Sequence, residues 1–122
     1  MSSSSKLCTP KGKHIPFTLD NIKDRDGAVI SDLTDWKCVW TLKKFPGDAT
    51  ALVTKSTELT GADKIDAIGA VFVWETIPSD TADLIPEFDY HWFADLEDPD
   101  GKTMQPRKGI IEFSHNGQPA AP

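Results

Sequence analysis

Residues 89–113 constrain this chain most, because they alternate so strictly that only a sheet can use them. In the first half, Tyr90, Trp92, Ala94 and Leu96 fall on one side, with Asp89, His91, Asp95 and Glu97 on the other. A period of two is the mark of a half-buried strand. Asp98-Pro99-Asp100-Gly101 then supplies turn chemistry, since proline presets φ at the second position and glycine accepts the positive φ that closes a tight reversal. A second strand follows over 102–113, with Ile111 and Phe113 on one parity and Gly109-Ile110 permitting a close approach or a bulge. A hairpin with so large an apolar face cannot stand alone, so the rest of the chain has to cover it.

The cover is also strand-forming. Residues 14–23 alternate through Ile15, Phe17 and Leu19, and Pro16 suits an edge because it cannot donate to a ladder. After a turn at 24–27 and a link in which Leu33 points inward, Trp36, Cys38, Trp40 and Leu42 share one parity, opposite Lys37, Thr41 and Lys43. Pro46-Gly47 breaks that strand, and 52–56 form the next, rich in β-branched residues. Residues 65–76 read as one alternating run, with Ile68, Ala70, Phe72 and Trp74 on one parity and Val71 and Val73 on the other. Ser79, Asp80 and Asp83 signal a helix start and Pro86 a stop, which predicts one short helical turn over 79–85. About seven short strands, with turns every 8 to 14 residues or so, point to an all-β, two-sheet antiparallel sandwich. Its predicted core is Trp36, Cys38, Trp40, Leu42, Phe72, Trp74, Tyr90, Trp92, Leu96, Ile111 and Phe113.

At 122 residues the chain fits one domain. Residues 1–13 are Ser-rich, dotted with Lys6, Lys11 and Lys13 and broken by Pro10 and Gly12, which predicts a flexible arm; 14–113 form the sandwich and 114–122 a flexible tail. The N-terminus has no apolar core of the secretory kind, so synthesis in a cytosol is expected. No apolar run approaches the ~18 residues of a membrane helix, and no membrane contact is expected. Of the formal charge of −6, the three arm lysines leave ten basic against nineteen acidic groups, or −9, on the remainder. Such a body repels phosphate backbones and argues against direct nucleic-acid binding. Of the two cysteines, Cys8 lies in the arm and Cys38 between Trp36 and Trp40, so Cys38 reads as a core thiol.

The order of these pieces resembles the small immunoglobulin-like domains of tailed-phage virion proteins, among them the N-terminal domains of siphophage upper baseplate proteins. The similarity runs from Arg25-Asp26-Gly27 and Asp32-Leu33-Thr34 into the strand 36–42, and on through Pro46-Gly47 and Leu52-Val53-Thr54-Lys55. It continues through Gly69-Ala70-Val71-Phe72, Ser79-Asp80-Thr81-Ala82-Asp83-Leu84, Tyr90-His91-Trp92 and Asp98-Pro99-Asp100-Gly101. The resemblance implies an immunoglobulin-like β-sandwich and a structural subunit of tail, baseplate, neck or head. Such a subunit would be made in the host bacterial cytoplasm, sit in the virion, and dock other virion proteins in a homo-oligomeric or symmetric multi-copy assembly.

The residues themselves carry little catalytic chemistry. His14, His91 and His115 fall on a first strand, a central strand and the tail, and the serines lie in the arm or alone, outside any nucleophile turn. No phosphate loop and no metal-spaced Cys/His set occurs, so neither enzyme activity nor a cofactor is expected. Asp95, Glu97, Asp98 and Asp100 are the one group with oxygens for calcium, though turn acids more often hydrogen-bond their own backbone. Inward-facing tryptophans fit a core better than a carbohydrate-stacking platform, which leaves a carbohydrate-binding or host-adhesion module as the alternative reading. Val39, Val73, Phe93 and Ile110 fall on outward parities and, with Lys6, Lys11 and Lys13 of the arm, are the candidate interface residues.

Overall fold

A computed structural model describes residues 6–23, 26–104 and 107–114. Eight strands follow in chain order: β1 Lys6–Pro10, β2 Ile15–Leu19, β3 Lys37–Lys43, β4 Val53–Ser56, β5 Asp66–Ile68, β6 Val71–Thr76, β7 Asp89–Glu97 and β8 Arg107–Ser114. They form two sheets, β1-β8-β7-β3-β4 and β2-β6-β5. A 3₁₀ turn, Gly61–Asp63, and a single helical turn, α1 Pro78–Thr81, lie between strands of different sheets.

The alternation read from the sequence packs as expected. Ten of the eleven predicted core residues are buried, and Leu33, Phe72, Leu42, Ile111 and Phe113 are sealed completely. At the centre, Phe17 lies 5.0 Å from Trp40 and 5.8 Å from Trp74 between ring centroids, and the two indoles are 5.9 Å apart. These separations are those of tilted and offset aromatic packing. The eleventh residue, Trp92, is only partly buried, though packed against the core. It pairs across the ladder with Gly109, whose buried Cα leaves room for the indole. A Cβ there would fall inside contact distance of Trp92 Nε1, Cε2 and Cζ2. Gly109→Ala should therefore cost about 1–3 kcal/mol by overpacking. Urea unfolding would show it, and Gly109→Ala/Trp92→Leu should regain part of the loss; a neutral Gly109→Ala would mean the ring moves aside freely.

Three expectations change. First, the run 65–76 is not one strand: Ile68 pairs with Val71, and Gly69, at φ +60°, turns the chain between β5 and β6. Glycine at the first central position is the chemistry of a two-residue hairpin. The turn breaks the parity count, so Ile68 stands 61% exposed while Phe72 and Trp74 stay inside. Second, the helical turn spans Pro78–Thr81 rather than 79–85, with the Asp80 carboxylate accepting the Ile77 N–H at 2.9 Å.

Third, of the arm expected over 1–13, residues 6–13 are an ordered part of the fold. Lys6–Pro10 runs parallel to β8, Lys6 opposite Ile110 and Pro10 opposite Ser114, whereas the other strand-to-strand ladders among the described residues are antiparallel. The segment has little apolar surface of its own; the free edge of β8 supplies its order through ladder hydrogen bonds. Side chains add to this. Lys6 Nζ bridges Asp89 at 2.9 Å and Glu112 at 2.6 Å, Lys11 Nζ donates to the Leu84 carbonyl at 3.2 Å, and the Gly12 N–H donates to Thr81 Oγ1 at 2.7 Å. Removing residues 1–13 uncovers the β8 edge and should lower the melting temperature by several degrees, each kcal/mol being worth about 4 °C at this size. An unchanged melting curve would show that β1 contributes no stability. Ser114 closes β8, and the tail from 115 on, like residues 1–5, lies outside the described residues.

Candidate interaction surfaces

The outer face of the five-stranded sheet carries three of the four apolar interface candidates. Ladder register fixes their neighbours: Phe93 stands between Thr41 of β3 and Lys108 of β8, Ile110 between His91 of β7 and Lys6 of β1, and Val39 between Asp95 of β7 and Ser56 of β4. All three are half-buried. Pro46, from the β3–β4 turn, joins Phe93, Ile110, His91, Lys108 and Gly109 around a groove of about 270 Å³. The Lys43 ammonium lies 5.6 Å from the Phe93 ring centre.

Phe45, next to Pro46 in the β3–β4 turn, and Phe88, just before β7, are aromatics that the sequence reading did not single out. Phe45 is 53% exposed and packs edge-on to Phe88, 5.9 Å away, and Phe88 packs in turn on the buried Tyr90 at 4.9 Å. Lys44 Nζ sits 5.7 Å and 5.6 Å from the Phe45 and Phe88 rings. Phe45 was hidden because it belongs to a turn, where period-two reasoning has nothing to count.

The remaining candidates do not join this face. Val73 is half-buried on the opposite sheet, between Thr18 and Asp66, beside a hollow of about 500 Å³ that Pro16, Lys64 and Glu75 also line. Lys6 and Lys11 are engaged within the domain, as described, and Lys13 is exposed on the β1–β2 link. Hydrogen bonds to Glu112 and then Asp89 hold the Lys6 ammonium above its ordinary pKa, so it is a cation at neutral pH.

Calcium ligation is not assembled. Asp95 and Glu97 project from the outer face of β7, while Asp98 Oδ1 accepts the N–H groups of Asp100 and Lys102 at 3.0 and 2.9 Å. Asp98 thus organises the turn, as an Asx residue does. Among the described residues no group of three or more His, Cys, Asp or Glu is placed to hold a metal. His14 pairs with Glu75 at 2.8 Å on the edge of the smaller sheet, and His91 lies in the groove of the other.

Two charged side chains were missed altogether. Lys55 is wholly buried, its ammonium 2.7 Å from Asp80, 3.1 Å from Asp63 and 3.0 Å from the Ala62 carbonyl. Arg107 clamps the carbonyls of Asp20 and Asn21 at 2.9 and 2.8 Å, tying β8 to the link after β2. The strand pairing of Lys55 with Trp40, an inward residue, would have revealed its direction, but register is not visible in the sequence.

Both cysteines are free, Cys8 exposed and Cys38 buried. Burial first, and the Asp95 carboxylate second, push the Cys38 thiol up to about 12. A neutral thiol in the fold stabilises fully below the unfolded value of 9.0, and that contribution fades as pH rises toward 12. Cys8 should react at once with a thiol reagent and Cys38 only on unfolding; equal rapid labelling would take Cys38 out of the core.

No family model matches this chain, and no curated protein does. Among solved structures, the chain is similar to the natural-killer-cell receptor Nkp44, described as a triggering partner in natural cytotoxicity. The TM-score is 0.57 at 14% identity, over 93% of this chain and 100% of that one. The details agree with that fold: β8-β7-β3-β4 match the larger sheet of a variable-type domain and β2-β6-β5 the smaller. Tyr90, at the start of β7, accepts the Ile85 N–H on its hydroxyl at 2.7 Å, the tyrosine corner of such domains. Two residues on, where antibody domains place a disulfide cysteine, stands Trp92, which with Phe17, Trp40 and Trp74 lines a hollow between the sheets. The chain is an immunoglobulin-like β-sandwich with both cysteines free and an aromatic cluster joining its two sheets.

Proposed function

We propose that this domain is a non-enzymatic structural subunit of a tailed-phage virion that docks other virion proteins through the outer face of its five-stranded sheet. The observation that carries the reading is the apolar strip on that face, Pro46, Phe93 and Ile110, whose groove nothing among the described residues covers. The order of sequence motifs shared with phage virion domains supplies the particle, and a symmetric particle would hold many copies, so modest affinity per site suffices. The carbohydrate-binding alternative has less behind it, because Trp36, Trp40 and Trp74 are buried and present no open ring for a sugar.

The test is incorporation into particles. Phe93→Asp should leave the melting temperature within a few degrees of the parent, since the side chain points outward, yet remove the protein from purified virions. Val73→Asp, on the other sheet, is the companion variant. Normal incorporation of a folded Phe93→Asp protein would place the contact elsewhere, and absence of the parent protein from virions would end the reading.

A further inference from the structure

We infer that the groove between β7 and β8 takes an acidic segment of a partner protein, one that carries apolar side chains among its carboxylates. The inference rests on the docking reading above for the use of this face and adds the chemistry of what docks. Acids outnumber bases nineteen to thirteen in the chain, so a stray lysine should find a carboxylate. Among the described residues, none lies within ion-pairing distance of Lys43, Lys44 or Lys108. Two of these cations rest on ring faces instead, Lys43 on Phe93 and Lys44 on Phe45 and Phe88. Lys108, exposed at the groove's edge, stands beside Phe93 in the ladder.

The acids of the same face do not cancel these charges. Asp89 and Glu112 share Lys6, Asp95 stands two residues beyond Phe93 on β7, opposite Val39, and Glu97 stands opposite Lys37 at the far end of the strand. Exposed cation–π contacts are worth about 0.5–1 kcal/mol each and leave the ammonium hydrated on its outer side. Phe93 therefore holds the Lys43 head beside the groove while leaving it open to a carboxylate, and Lys108 stands as a second positive head on its other flank. A partner that buries an apolar side chain against Phe93, Pro46 and Ile110 brings its own acids over Lys43 and Lys108.

The experiment uses the whole chain and a fluorescent synthetic peptide of Glu and Ser bearing two Phe, followed by anisotropy. Two control peptides replace Glu by Lys, or Phe by Ser. The acidic apolar peptide should bind and both controls should not, with affinity falling about tenfold from low to physiological salt as the exposed charges are screened. Lys43→Glu/Lys108→Glu should abolish binding, Phe93→Ala should weaken it, and Lys37→Glu, at the far end of β3, should leave it unchanged. Circular dichroism melts check that each variant is folded. Equal binding of the acidic and basic peptides, no binding of either, or indifference to the double charge reversal would overturn the inference. Self-association in sedimentation that the same reversal dissolves would also overturn it, giving the groove to a second copy. The two readings fail separately: a Phe93→Asp protein lost from virions while the peptide does not bind removes only the acidic partner. Peptide binding with normal incorporation removes only the virion contact.

Discussion

Asp80→Ala should destabilise the domain by about 3–5 kcal/mol, the cost of leaving a buried charge without its partner. Lys55 has no exposed surface, and its ammonium reaches Asp80 at 2.7 Å and Asp63 at 3.1 Å. The two acids are not equal: the Asp80 side chain is 17% exposed and that of Asp63 54%. Water screens the Asp63 contact, so Asp63→Ala should cost no more than about 1 kcal/mol. Asp80 has a second task, since its Oδ2 also accepts the Ile77 N–H at the start of α1. Losing it therefore frees a helix end and strands an ammonium. Lys55→Met removes the charge and keeps an apolar stem against Trp40, its ladder partner, so it should cost less than Asp80→Ala. In the double variant Lys55→Met/Asp80→Ala most of the penalty should vanish, and urea denaturation of the four proteins gives the coupling directly. If Asp80→Ala costs under about 1 kcal/mol, the ammonium has found water and is not sealed.

That triad marks where sequence reasoning stopped. Period-two patterns depend only on a strand's own residues, so β3 and β7 were legible nearly to their ends, and with them Trp40, Leu42, Tyr90 and Leu96 in the core. The close approach at Gly109 was visible as well, though not that Trp92 was the group approaching. What could not be read depends on a neighbour. Lys6–Pro10 forms a strand because β8 offers an edge, and Lys55 turns inward because β3 fixes its register. The split between β5 and β6 was present in Gly69-Ala70 but was overridden by an alternation that happened to continue across it. Phe93 and Ile110 of the outer face were found by parity; Phe45 and Phe88 lie in connections, which have no parity to count, and needed the structure.

Trp40→Ala should cost about 3–5 kcal/mol, the range for truncating a large buried aromatic that its surroundings cannot refill. Trp40 is 1% exposed and occupies the centre of β3, flanked by Ala94 on β7 and Lys55 on β4. Across the sandwich it meets Phe17 at 5.0 Å and Trp74 at 5.9 Å, so one ring joins both sheets. Alanine opens a cavity among rigid rings and sheet backbones, which relax little. Because small domains hold only about 5–15 kcal/mol in total, the variant should unfold at a markedly lower urea concentration, with an unchanged slope if it remains two-state. Trp40→Phe keeps most of the volume and should recover more than half of the loss. The parent's fluorescence gives an independent check: with Trp36, Trp40 and Trp74 enclosed and Trp92 partly so, emission should be blue-shifted and only weakly quenched by iodide. Strong quenching of most of the emission, or a Trp40→Ala protein as stable as the parent, would remove Trp40 from the centre of the core.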